Sequence, residues 1–228
     1  MTGQPKAPDA AQPRGCYTDT LYIIHGLYRN AFSRAPGMVE RTDPEDAAAV
    51  QRAADRLEAD LQSLQGHHVH EDDLYWQLMM EREPACAPVV ERMKQQHQAI
   101  HISAEELLGL TASWRRQPQD KQALLDALHA FEQQVFAHLE DEEQHAKPVA
   151  GRVLTQAEWD MAHERGRREA PRKGLLVSLG YLLQGAPTAK LRDEFWRGVP
   201  APIRLLYQLS AKKKFEQEWE ALYGEKPT

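Results

Sequence analysis

The chain has 228 residues, 42 % of them hydrophobic, and a formal net charge of -6. That is apolar material for a sizeable core, and the acidic balance argues against a general nucleic-acid binder. Its two cysteines, Cys16 and Cys86, lie far apart without Cys-x-x-Cys spacing, so neither a disulfide scaffold nor a zinc ribbon is expected.

Residues 1–16 are polar and rich in Pro, Gly and Ala, and read as a disordered leader rather than a secretory signal. No stretch approaches the roughly 18–20 apolar residues of a membrane span. A soluble cytoplasmic protein, with neither a membrane nor nucleic acid as partner, is the expectation.

A first helix is predicted over Thr18–Arg34, its apolar face formed by Leu21, Ile24, Leu27, Ala31 and Phe32, with His25 beside that face and Pro36-Gly37 ending it. Thr42-Asp43-Pro44-Glu45 predicts the next start, with Asp43 or Thr42 capping and Pro44 at the first helical position. That helix should run to about Glu83, its stripe passing from Leu57, Leu61 and Leu64 to Glu71, Leu74 and Leu78, with a bend possible at Gly66. Pro84 to Pro88 makes a tight connection. A third helix is predicted over Ala87–Arg115, and a fourth over Asp120–Ala146, the latter stopped by Pro148 and Gly151. None of these segments alternates with the period of a strand. The fold class is therefore all-α: an up-down four-helix bundle over residues 17–150.

Residues 151–228 change character and are expected to form a C-terminal helical extension. Thr155 can cap a helix there, and Arg165, Arg167, Arg168, Arg172 and Lys173 form a basic patch. Two short apolar segments, Leu175–Leu183 and Ile203–Leu209, and a final amphipathic helix with Phe215, Trp219, Leu222 and Tyr223 should pack against the bundle.

Histidines recur on all four bundle helices. The first supplies His25, the second His67 with Glu71, the third His97 with His101, and the fourth His138 with Glu142; each of the three pairs is four residues apart, on one helix face. Groups of this kind buried without partners would cost several kcal/mol each, about as much as a domain's whole margin. Metal ions remove that cost. The set lacks a thiolate, which disfavours structural zinc, and has too much nitrogen for calcium or magnesium. Imidazole with bridging carboxylate suits a pair of iron or manganese ions between facing helices, which makes a dinuclear metal site. His68, His70 and His145 flank these positions and are expected to point away; His129 lies off the shared line and His163 outside the bundle. Asp72 is a candidate to orient a ligand histidine through its far ring nitrogen.

This pattern resembles the hemerythrin-like proteins, the HHE cation-binding domains. The resemblance rests on Ile23-Ile24-His25-Gly26-Leu27, His67-His68-x-x-Glu71-Asp72 followed by Leu74 and Trp76, His97-x-x-x-His101, and His138-Leu139-x-x-Glu142-Glu143 followed by Pro148. The segment from Leu154-Thr155 through Leu206-Tyr207 is similar to the extension of actinobacterial members. Many relatives carry Trp-Pro where this chain has Trp76-Gln77, a change that loosens a helix end without touching ligands.

The resemblance implies a non-haem, carboxylate-bridged centre of two iron ions, with manganese left open. His25, His67, His97, His101 and His138 would be terminal ligands and Glu71 and Glu142 bridges. Oxygen-carrying hemerythrins place an aspartate five residues after the last histidine, the slot of Glu143 here. The repeated four-residue spacing favours Glu142 and leaves Glu143, like Asp72, as a supporting group. Seven ligands on two irons leave one open position, implying a protein that binds or reacts with dioxygen, nitric oxide or peroxide. The alternative is a diiron oxidoreductase: an oxidase or oxygenase acting on a small organic substrate. An electron donor or protein partner would dock on the extension.

Overall fold

The computed structural model describes residues 14–169 and 174–227, and what it describes is helical, without a strand. Most of the expected leader lies outside these residues, as do Arg172 and Lys173 of the basic patch. The leader's last two residues are pinned: Gly15 N–H donates to Leu154 O at 2.8 Å and Cys16 N–H to Gly151 O at 3.1 Å.

Helix α1 runs over Leu21–Arg41. It passes through Pro36-Gly37, where the sequence predicted an end. A proline costs one backbone hydrogen bond inside a helix, and here Pro36 is buried among neighbours that hold the turn. Helix α2 spans Ala47–Leu74. Its cap is Asp46, whose carboxylate accepts from Ala48 N and Ala49 N; Asp43 instead closes a short turn onto Glu45 N. The helix is unbroken at Gly66 and breaks at Tyr75, after which α3 (Trp76–Arg82) continues. A single 3-10 turn, Pro84–Cys86, leads into α4 (Ala87–Arg116). Helix α5 (Gln122–Asp141) does not stop at Pro148: a π-helical turn over Glu142–Ala146 carries the chain into α6, Lys147–Val153. The widened turn makes room for the Pro148 ring, which in a regular helix would meet the carbonyl four residues back.

Helices α1, α2, α4 and α5 pack in a ring, each against its chain neighbours and α5 back against α1, as short antiparallel connections dictate. The inward stripe of each follows alternating steps of four and three residues: Leu57, Leu61, Leu64, His68, Glu71, Tyr75 on α2; Leu124, Leu128, Phe131, Val135, His138, Glu142 on α5. On α1 the bundle-facing stripe is Leu21, His25, Tyr28, Phe32, Ala35, Val39, so His25 lies on it and not beside it.

The faces of α1 and α2 turned away from the ring are covered by the extension: α7 (Gln156–Glu169), α8 (Leu175–Gly185), α9 (Ala189–Gly198), α10 (Ala201–Leu206), a second π-helical turn and α11 (Lys212–Tyr223). Val177, Leu179, Tyr181, Phe215, Trp219 and Leu222 share one apolar cluster with the bundle. Helix α8 crosses α1 at Gly26 and Gly185, so closely that a Cβ on Gly26 would lie 1.8 Å from Gly185 O.

Candidate metal centre

Between the main apolar cluster and a second one at the end formed by Leu21, Tyr75, Trp76, Met93 and Val149 lies a layer of polar side chains. It consists of His25 from α1, His67, His68 and Glu71 from α2, His97 from α4, and His138 with Glu142 at the end of α5. Six of the seven are buried, and His67 keeps 13 % of its side chain exposed. Every one of these positions continues an inward stripe or borders it, which is why folding drives them together.

The ligand-type atoms fall into two groups, each within 4.8 Å: His68, His97 and His138 form one, and His25, His67, Glu71 and Glu142 the other. The glutamates join them. Glu71 sets one oxygen 3.3 Å from His67 Nε2 and the other 3.6 Å from His97 Nε2. One oxygen of Glu142 lies 3.2 Å from His25 Nε2 and 3.8 Å from His138 Nε2. The His68 and His97 rings stack at 4.1 Å between centroids, with His138 edge-on to both.

The far side of several rings is held by hydrogen bonds. His25 Nδ1 meets Glu143 at 2.8 Å, and Arg29 donates to the same oxygen. His97 Nδ1 meets Asp72 at 2.9 Å, and the Trp76 indole N–H donates to that oxygen too. His138 Nδ1 meets the amide oxygen of Gln96 at 2.9 Å, and Gln96 in turn donates to Asp141. Carboxylate and amide acceptors of this kind place the proton on Nδ1 and leave the Nε2 lone pair facing inward.

That inward side has no such partners. Nε2 of all five histidines and one oxygen each of Glu71 and Glu142 are buried without a hydrogen bond. Folded proteins rarely leave even a few such atoms together, and an imidazole and carboxylate donor set is one that iron or manganese accepts. The residues therefore fit a dinuclear centre. Burial pushes His67 and His68 well below the ordinary imidazole value and His138 down to about 4, so these rings are neutral, the form that ligates. Burial, then the neighbouring Glu142, raises Glu71. For Glu142 burial acts upward too, but the facing His25 outweighs it and holds the carboxylate low.

Two expectations change here. His101 is exposed, with its Nδ1 3.1 Å from the Gln65 side-chain nitrogen, and it is not part of the cluster. The inward stripe of α4 steps from His97 to Ile100, which places residue 101 over the edge. His68, expected to point away, is buried at the centre of the layer. The signal for it was present: continuing the α2 stripe from Leu64 by four reaches His68, and by three more Glu71. His70 turns to Glu169 of α7 and His145 to Asp141, both away from the layer. Glu142 faces the cluster, while Glu143 stands behind His25.

The hemerythrin family model, described as the hemerythrin HHE cation binding domain, matches residues 18–150, more than half of the chain. No curated protein and no solved structure matches it.

Proposed function

Because this chain belongs to the hemerythrin HHE cation-binding family, we propose that the buried layer holds two iron ions and that the protein binds or reacts with dioxygen, nitric oxide or peroxide there. The observation that carries this reading is the inward convergence of seven buried nitrogen and oxygen atoms lacking hydrogen-bond partners. In this reading His68, His97 and His138 would hold one ion and His25 and His67 the other, with Glu71 and Glu142 reaching both groups of histidines. Two irons so held would supply reversible binding of a small oxidant and the electrons to reduce it.

The chain's own contribution is positional. It offers three imidazoles on one side and two on the other, so the His25–His67 side would be the one to admit a small exogenous ligand. Glu143, Asp72 and Gln96 fix ring tautomers, and the two apolar clusters exclude bulk water from the layer. No helix of the described residues is long and apolar enough to cross a membrane, and both cysteines are unpaired, which fits a reducing cytoplasmic setting.

Metal analysis of anaerobically prepared protein, followed by absorption spectra as dioxygen is admitted, tests the proposal. Two irons per chain and an oxygen-dependent band that reverses on removing oxygen are expected. Protein that retains no iron and no manganese overturns it. Irreversible oxidation accelerated by an organic substrate would instead place the chain among diiron oxidases or oxygenases.

A further inference from the structure

The second apolar segment of the extension does not pack inward as its sequence suggests. Ile203, Leu205, Leu206 and Leu209 are 40, 59, 53 and 76 % exposed, four of the eight large apolar residues exposed among the described residues. Register explains it. From α10 through α11 the stretch turns Tyr207, Ala211, Phe215 and Trp219 toward the core at four-residue steps, so Leu205, Leu206 and Leu209 fall on the opposite side. One helical rod thus has two apolar faces, and only one of them is covered.

The charge around the uncovered face is one-sided. From Ala201 to Lys214 the chain has four basic residues and no acidic one, although the whole protein carries -6. The outward stripe continues from Leu209 by four residues into Lys213, and Lys213 and Lys214 are exposed. Farther along α11, Glu216 lies 3.9 Å from Lys212 and Glu218 accepts from the Tyr181 hydroxyl.

We propose that this face docks on the surface of an anionic lipid bilayer, with Leu205, Leu206 and Leu209 below the headgroups and Lys213 and Lys214 at the phosphates. An exposed aliphatic stripe that runs on into lysines fits an interfacial helix, and lysine stems can lie along apolar surface while the ammonium reaches outward. The side chains disfavour the other occupants. Protein hot spots are built from Trp, Tyr and Arg, with Leu under-represented, whereas here Tyr207 and Trp219 face inward. A second copy packed parallel on this face would bring two lysine triplets together. The proposal is independent of the metal reading.

Sedimentation of the full chain with vesicles of phosphatidylglycerol and phosphatidylcholine, or of phosphatidylcholine alone, tests it. Binding to the anionic vesicles only, weakening with salt, is expected. Lys213→Gln with Lys214→Gln should lower the partition coefficient roughly thirty-fold, and Leu206→Asp with Leu209→Asp should abolish binding while leaving the circular dichroism melting curve unchanged. Absence of binding, equal binding to neutral vesicles, or undiminished binding by the leucine variant overturns the proposal. So does a dimer, seen by light scattering, that the leucine variant dissociates, which would make a second copy the occupant.

Discussion

His68 and His101 pose the sharpest question among single residues. Both sit within a helical turn of a cluster histidine, yet one is 5 % exposed among three rings and the other faces solvent. We expect His68→Ala to lose bound metal and His101→Ala to keep the wild-type content, as measured by metal analysis after gel filtration; the reverse result would restore His101 as a ligand. Behind the rings, Asp72 ties His97 to Trp76, so Asp72→Ala should leave the fold intact and lower metal affinity by about 10- to 100-fold. Competition with a chelator measures this, and an unchanged affinity would reduce Asp72 to a surface group.

Junctions between helices show how the extension fixes the layer in place. Thr155 and Glu158 form a reciprocal capping box at the start of α7: Thr155 N–H donates to the Glu158 carboxylate and Glu158 N–H to the Thr155 hydroxyl. Arg82 of α3 grips the same carboxylate with two bonds of 2.6 Å. That hydrogen bonding lowers Glu158 from 4.5 to about 2. A depressed carboxylate stabilises the fold above its unfolded value and loses that contribution as pH falls. The stability gap between wild type and Glu158→Gln should therefore close as pH drops from 4.5 toward 2, in urea titrations at each pH. At the crossing of α1 and α8, a Cβ on Gly185 would lie 2.2 Å from Ile23 O. Backbone cannot yield as a flexible side chain can, so Gly185→Ala should cost about 1–3 kcal/mol or more; a neutral result would show that the two helices separate freely.

At the scale of the whole molecule, two polar assemblies inside the packed helices put stability to the test. The first is the histidine and glutamate layer, whose partnerless atoms repel or go unsolvated without the proposed metal. A ligand present at a thousand times its dissociation constant stabilises by about 4 kcal/mol, so chelation should lower the melting temperature and iron should restore it. A melting curve indifferent to metal would contradict the reading of the layer. The second is the half-buried Arg56 with the buried Asp60 on α2 beneath the extension, the guanidinium 3.6 Å from the centre of the Tyr181 ring. Asp60→Ala would take the carboxylate from a half-buried guanidinium that keeps only the Tyr181 ring and Tyr223, at up to about 3 kcal/mol, read as a lower denaturation midpoint.

Periodicity and spacing determined a good deal unaided. An all-α bundle, its helix order, and a His/Glu layer followed from apolar steps of three and four, because that repeat can bury a face only as a helix. His25, His67, Glu71, His97, His138 and Glu142 were legible for the same reason: each lies on or beside an inward stripe. Helix ends were less legible. Pro36 and Pro148 are local stop signals, and packing around α1 and the π-helical turn after α5 overrode them. Only the tertiary structure decided between His68 and His101, since a four-residue spacing says that two side chains share a face and not which face meets the other helices. It alone, likewise, turned Leu205, Leu206 and Leu209 outward. Hydrophobicity selects what should be buried, but the rotation of each helix about its own axis is fixed by what it packs against.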